Sequence, residues 1–124
     1  MNDEIITLLD GLMDMEENIY GIAMVDGSGQ VLWQTENWDL SADAPAFINA
    51  WNNNASSVTL LSIKYMIVEN TPERLIGTNV TGKGHIIGAS AGPNKIICYI
   101  NPVIGPRDAL QDIQLQCTKI AKLS

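Results

Sequence analysis

The chain has 124 residues, of which 46 % are hydrophobic and 17 % are charged. This length and composition fit one folded domain, residues 1–124, whose core needs neither a metal nor a disulfide. The net charge of −7 argues against nucleic acid as a partner, because phosphates attract a basic surface. It argues equally against a general binder of anionic membranes, so the sequence gives no indication of lipid regulation.

The charged residues are sorted along the chain. The first Lys or Arg is Lys64, whereas ten of the 14 carboxylates precede it. A local basic patch can steer an acidic protein partner even when the net charge is negative. We therefore expect two different surfaces, one of which binds a partner.

The apolar runs and cysteines indicate a cytoplasmic protein. The longest apolar runs have about five or six residues, whereas roughly 20 are needed to cross a bilayer, and no basic segment precedes an apolar one at the N-terminus. Cys98 and Cys117 both lie in apolar segments, which is typical of small core residues. A disulfide between them is the minor alternative in such a compartment.

The first third of the chain predicts a helix followed by a hairpin. In residues 3–17 apolar side chains recur at spacings of three and four, which predicts an amphipathic helix capped by Asn2 or Asp3. Two apolar runs then flank Asp26-Gly27-Ser28-Gly29, whose residues tolerate positive φ angles. Together these runs predict a β-hairpin.

A second helix is predicted after the hairpin. Ser41 or Asp43 can cap it, Pro45 suits its first turn, and the asparagines at 52–54 end it. Four apolar side chains are expected on its buried face, namely Phe47, Ile48, Ala50 and Trp51.

From Val58 onward the pattern changes to short strands separated by turns rich in glycine and proline. The connections are too short for crossover helices, so antiparallel pairing is expected. The predicted strands lie near residues 58–61, 63–69, 74–79, 85–90 and 95–100.

A last helix is predicted after Gly105-Pro106. Asp108 would lie in its first turn, and Lys119 and Lys122 would lie in its last, each favourable to the helix dipole. The order of elements indicates an α+β fold, a three-layer sandwich. Its central antiparallel sheet is expected to carry the N- and C-terminal helices on one face and the middle helix on the other.

The segment Gly77–Gly84 is close to a phosphate-binding P-loop but fails twice. Gly84 replaces the hydroxyl residue that would bind magnesium, and His85 begins a strand where a P-loop needs a helix. A glycine-rich hairpin is the better interpretation.

No catalytic or cofactor site is predicted. His85 is the only histidine, so a site needing two is excluded, and a position at the rim of the sheet is favoured for it over catalysis. No pair of His or Cys residues has zinc spacing. Asp26, Asp39 and Asp43 each have a local role as a turn or cap residue. We expect a protein that is not an enzyme and that needs no cofactor or metal.

The tryptophans and the basic residues are the remaining candidates for binding. Trp51 is expected in the core, whereas Trp33 and Trp38 are candidates for a partly exposed aromatic patch of the kind that captures polyproline. Lys64 should share a strand face with Met66 and Val68. Whether the basic residues form a docking surface or only a solvated face stays open at this level; the set is Lys64, Arg74, Lys83, Lys95 and Arg107.

Several motifs together resemble the profilin family. Lys64-Tyr65-Met66 is followed by a turn and by the Gly82-Lys83-Gly84 hairpin, and upstream Val31-Leu32-Trp33-Gln34 is similar to the profilin strand that carries a Trp. The strand ending near Tyr99, the connection with glycine and proline, and the last helix follow in the same order. The resemblance covers nearly the whole chain and is nearer to archaeal (Asgard-type) profilins than to animal ones.

The resemblance implies a monomeric cytoplasmic protein of the cytoskeleton that binds the actin monomer and regulates filament assembly. The family's actin face uses the later strands and the start of the last helix. By position it falls here on Lys64, Arg74, Asn79, Lys83, Arg107, Asp108, Gln111 and Asp112.

The resemblance also names a polyproline site, which this chain matches only in part. Candidate residues are Trp33, Trp38 and Tyr20, but the first helix lacks a Trp and the last helix lacks any aromatic residue. Polyproline binding is therefore expected to be weak or absent.

One alternative has a similar order of elements. A roadblock/LC7-like domain would act as a homodimeric regulator of small GTPases or motors. It would use the middle helix as its dimer surface, which leaves Phe47, Ile48 and Trp51 exposed in a monomer.

Overall fold

The computed structural model describes residues 2–123. Three helices and seven strands follow one another in that part of the chain, and the two longest connections, 35–43 and 101–109, precede α2 and α3. The helices are α1 (Asp3–Met15), α2 (Ala44–Asn52) and α3 (Leu110–Ala121). The strands are β1 (Ile19–Val25), β2 (Val31–Gln34), β3 (Ser57–Leu60), β4 (Ile63–Asn70), β5 (Arg74–Thr78), β6 (His85–Ala91) and β7 (Asn94–Ile100).

The seven strands form one antiparallel sheet in the order β2-β1-β7-β6-β5-β4-β3. Strands β3 to β7 follow one another as a meander, as their short turns predict. The return of β7 to β1 joins the meander to the N-terminal hairpin, with Ile22 opposite Cys98. The acidic first half and the basic second half therefore share one sheet.

Each face of the sheet has its own core, as the predicted sandwich requires. Helices α1 and α3 pack on one face against side chains of β1, β6 and β7. Helix α2 packs on the other face, where Phe47 and Trp51 lie over Tyr65, Leu75 and Ile97. The predicted placement of the terminal helices and the middle helix on opposite faces is confirmed.

The caps of α1 and α2 differ in a way that the sequence does not show. Asn2 caps α1 as predicted, because its Oδ1 accepts a hydrogen bond of 2.7 Å from the backbone N–H of Glu4. Asp43 lies at the N-cap of α2 but makes no side-chain cap bond. Its carboxylate instead accepts the backbone N–H of Leu61 at 2.7 Å and so ties the β3–β4 turn to the start of α2.

Helix α3 begins later than predicted. It starts at Leu110, so Asp108 precedes it and Asp112 is the acidic residue of its first turn. The Asp108 carboxylate accepts the backbone N–H of Gly105 at 3.0 Å. That bond closes a local turn, which explains why the helical pattern does not extend back to the proline.

None of the described helices is both long and apolar enough to span a membrane.

The two cysteines are buried core residues and are free thiols, as predicted. They belong to the core under α1 and α3, Cys98 on β7 and Cys117 on α3. Burial raises the pKa of the Cys117 thiol to about 12 and raises that of Cys98 well above its usual value. The reactive thiolate is therefore scarce in the folded protein.

We expect the native protein to resist alkylation. At pH 8 iodoacetamide should modify neither thiol on the timescale that labels free cysteine, whereas both should react in denaturant. Mass spectrometry of the intact protein would count the added groups. Rapid labelling of native protein would contradict the burial described here.

Candidate protein-binding surface

One part of the sheet is left uncovered on the side that carries the terminal helices. The core under α1 and α3 draws on β1, β6 and β7, and on no residue of β3 or β4. The surface of β4 and β5 on this side, with the segment that leads into α3, is here called the docking face. It contains Lys64, Met66, Val68, Glu69, Arg74 and Arg107.

Strand β4 alternates between the two sides of the sheet as predicted. Tyr65 is 1 % exposed and belongs to the core under α2, so Lys64 and Met66 point to the opposite side. A bulge then shifts the register, because Ile67 pairs with Gly77 whereas Glu69 pairs with Ile76. Val68 is the extra residue and is 55 % exposed. The bulge thus leaves an apolar side chain exposed on the strand that carries Lys64 and Glu69.

Glu69 joins the two arginines of the docking face. One carboxylate oxygen is paired with the guanidinium of Arg74, and the other is paired with Nη2 of Arg107. The bonds to Arg107 and Arg74 hold the pKa of the Glu69 carboxyl below its usual value. Arg74 and Arg107 therefore do lie on one surface, and Glu69 fixes both to the end of β4.

Asn79 organises the β5–β6 turn. Its Oδ1 accepts the backbone N–H groups of Thr81 and Lys83, each at 3.0 Å. Its Nδ2 donates to the backbone carbonyl of Lys64 at 2.8 Å, which places this turn beside the start of β4. The side chain of Lys83 is exposed. The P-loop-like segment is thus a hairpin turn leading into strand β6, as predicted.

His85 connects the sheet to the segment before α3. Its Nε2 donates to the backbone carbonyl of Ile104 at 2.8 Å, and its Nδ1 lies 2.7 Å from the hydroxyl of Thr78. A carbonyl can only accept, so Nε2 carries a proton. The half-buried ring therefore positions the connection that carries Arg107 to the docking face.

The first turns of α3 extend this surface along the helix. Arg107 and Gln111 line a shallow groove of about 430 Å³ together with Leu115, which is half exposed. Asp112 is half-buried in the first turn. Of the predicted contact residues, Arg74 and Arg107 come together through Glu69, and Gln111 lies beside Arg107. Lys64 lies near the other end of β4, beside the β5–β6 turn. Asn79 and Asp108 bond to backbone N–H groups of their own turns.

The aromatic residues do not form one patch. Trp33 is half-buried and packs on the core under α1 and α3. Trp38 is 6 % exposed on the opposite side of the sheet, so the expected exposure of Trp38 is wrong. The physical reason is Gly21, because a Cβ there would lie 2.8 Å from Trp38 and its absence lets the indole pack onto the sheet.

Trp38 instead belongs to an aromatic stack with two tyrosines. Its ring is stacked on Tyr99 with centroids 6.0 Å apart, and Tyr20 meets Tyr99 edge to face at 6.1 Å. Tyr20 is 42 % exposed. Tyr20 and Trp38 are therefore neighbours, while Trp33 lies on the other side of the sheet.

The middle helix offers no free apolar surface of the kind that the roadblock alternative requires. Phe47 is fully buried, and Ile48 and Trp51 are each 5 % exposed. The Trp51 indole N–H donates to the carbonyl of Thr71 at 2.8 Å, which ties the helix to the β4–β5 turn. The expected core position of Trp51 is confirmed, and the exposed helix that the roadblock/LC7 alternative requires is not present in a single chain.

Residues 2–123 contain no group of three or more His, Cys, Asp or Glu side chains that could hold a metal ion.

Comparison with solved structures defines the fold first. The chain superposes on Acanthamoeba castellanii profilin IA with a TM-score of 0.80, covering 94 % of this chain and 96 % of that one at 16 % identity. This likeness defines the profilin fold. No family model matches the chain.

Sequence comparison then gives the family. Loki profilin-1 of Lokiarchaeum sp. (strain GC14_75) is 41 % identical over an alignment of 133 positions, which covers 99 % of each chain. The profilin in the structure of a LokiProfilin2/rabbit actin complex is 41 % identical and superposes over the full length of both chains with a TM-score of 0.91. The chain belongs to the profilin family, and its similarity to these archaeal members is far greater than to the amoebal one.

Proposed function

We propose that this profilin binds the actin monomer and regulates filament assembly, as a cytoplasmic protein without catalytic activity. The observation that carries the proposal is the match over the full chain, at a TM-score of 0.91, to a relative whose structure was solved in complex with rabbit actin. We further propose that residues 1–124 act as one domain and as a monomer.

The chemistry of the docking face supports this proposal. Lys64 and Arg107 are exposed cations on an otherwise acidic protein, and Val68, on the same strand as Lys64, is an exposed apolar residue. Protein interfaces combine an apolar centre with charged groups that set orientation and association rate. Because actin is acidic, the cations of this face complement its charge, whereas the acidic α1 does not.

Glu69 gives the docking face a defined geometry before binding. A guanidinium carries five N–H donors, and the carboxylate of Glu69 uses only some of those on Arg74 and Arg107. The remaining donors are free for a partner carboxylate. Because the ion pairs hold both arginines in place, less side-chain entropy is lost when the partner binds.

Assembly kinetics of pyrene-labelled rabbit actin would test the proposal. A monomer binder added in several-fold molar excess should change the rate of spontaneous assembly. The signal should respond to the profilin concentration and saturate near equimolar ratio if binding is tight. Unchanged assembly at that excess would refute the proposed function.

Polyproline binding is expected to be weak or absent. Trp33 is the one aromatic residue among the candidates that lies on the side of the terminal helices, and neither α1 nor α3 carries an aromatic side chain. A groove that binds polyproline is lined by several aromatic side chains. Titration with a proline decamer, followed by tryptophan fluorescence, should show no saturation up to about 1 mM, an affinity of roughly 4 kcal/mol. Saturation in the low micromolar range would contradict this expectation.

A further inference from the structure

The turn between β3 and β4 is strained. Leu60 pairs with Ile63, so only Leu61 and Ser62 form the loop. Their φ angles are +50° and +70°, which places both residues in the left-handed region. A two-residue hairpin loop with positive φ at both positions favours Asn-Gly, because a side chain such as leucine is strained there.

The strained leucine is also exposed. Leu61 is 42 % accessible at the tip of the turn. Its backbone N–H donates to the Asp43 carboxylate at 2.7 Å, so the turn is fixed against the start of α2. The fold thus holds an apolar side chain in solvent, in a backbone conformation that a polar residue would adopt more easily.

The position of this turn relates it to the docking face. Leu61 lies three residues before Lys64, whose carbonyl accepts the side-chain amide of Asn79 at 2.8 Å. The β5–β6 turn that Asn79 organises carries Val80, which is 79 % exposed. The β3–β4 and β5–β6 turns therefore lie at the same end of the sheet, the end at which β4 begins with Ile63 and Lys64, and each turn carries an exposed apolar residue.

We propose that Leu61 is a contact residue that extends the docking face to the β3–β4 turn and packs on an apolar surface of the same actin monomer. The inference rests on the proposed function, since the turn leads directly into β4, the strand that carries Lys64, and no separate partner is needed. Backbone strain persists where the surrounding structure enforces it, and it clusters at binding sites. A strained, exposed leucine at the edge of an interface fits that pattern.

The variant Leu61→Asn separates stability from binding. Asparagine tolerates the left-handed region, so the melting temperature should rise by about 2–4 °C. Actin binding should weaken by roughly tenfold, because the exposed part of the leucine can no longer be buried. A gain in stability together with a loss of affinity is a result that damage to the fold cannot produce.

Leu32→Asn is the matched control. Leu32 is 40 % exposed on β2, and β2 and β3 are the two opposite edge strands of the sheet. Its replacement should leave the affinity for rabbit actin unchanged in the same binding assay. If Leu61→Asn binds as tightly as the unmodified protein, the inference is overturned while the proposed function stands. If the unmodified protein itself does not bind, the proposed function fails first and this inference with it.

Discussion

Replacing Gly29 with alanine is expected to destabilise the domain by roughly 3 kcal/mol or more, a large part of the 5–15 kcal/mol that holds a typical domain folded. Gly29 ends the β1–β2 turn with a φ of +93°, which alanine adopts only at a cost of about 1–2 kcal/mol. An added Cβ would also lie 2.5 Å from Cα and 2.7 Å from N of Pro45. Because these are backbone atoms at the start of α2, no side-chain rotation relieves the overlap.

Gly27 provides the control in the same turn. An added Cβ at Gly27 meets nothing within 4 Å. Gly27→Ala should therefore change the free energy of unfolding by less than about 1 kcal/mol. Urea unfolding followed by tryptophan fluorescence would measure both variants. Equal stability of the two would show that the turn does not pack on α2 as described.

The double variant Lys64→Glu with Arg107→Glu is expected to weaken actin binding by more than about 1 kcal/mol, or at least fivefold. Both side chains are exposed on the docking face, and reversal places like charges against an acidic partner. Arg107 also loses its pairing with Glu69, so the segment before α3 becomes less ordered. The loss should therefore exceed that of Lys64→Glu alone.

Lys119→Glu with Lys122→Glu is a control with the same change in net charge. Both lysines are exposed at the C-terminal end of α3, away from Lys64 and Arg107. Isothermal titration with rabbit actin at two ionic strengths would compare the two double variants, with thermal unfolding to verify that each is folded. If the control loses as much affinity as the docking-face variant, binding depends on net charge and the interface lies elsewhere.

The architecture follows from local patterns and was predictable. The apolar spacing in residues 3–17, the Asp26–Gly29 turn and the short connections after Val58 each specify an element without reference to distant residues. The alternation of side chains around Tyr65 also predicts correctly that Lys64 lies on the opposite face of the sheet from Tyr65. Strict period-two geometry makes such a prediction dependable where the strand is regular.

Features that depend on contacts between distant residues were not predictable in the same way. Glu69 and Arg107 are 38 positions apart. The bulge that exposes Val68 and shifts the register at Glu69 has no clear signal in the sequence. Glu69 is one of four carboxylates after Lys64, and nothing in the sequence distinguishes it from Glu73, Asp108 or Asp112. The arginines of the docking face were therefore predictable, whereas the carboxylate that holds them was not.

The aromatic residues show a second limit. Trp38 follows a strand end and resembles an exposed residue in sequence, but the missing side chain of Gly21 opens a place for it on the sheet. The partners Tyr20 and Tyr99 come from β1 and β7, which pair only because β7 returns to the first strands. The burial of Trp38 depends on which strands pair in the folded sheet. A short stretch of sequence around Trp38 therefore does not predict it.

Sedimentation velocity of rabbit actin monomers, with and without this profilin, distinguishes a monomer binder from a protein that does not bind actin. In a buffer that keeps actin monomeric, we expect a faster-sedimenting species with the mass of a 1:1 complex, while the profilin alone sediments as a monomer of 13.5 kDa. Actin that sediments identically at a several-fold excess of profilin would show that this profilin does not bind the actin monomer.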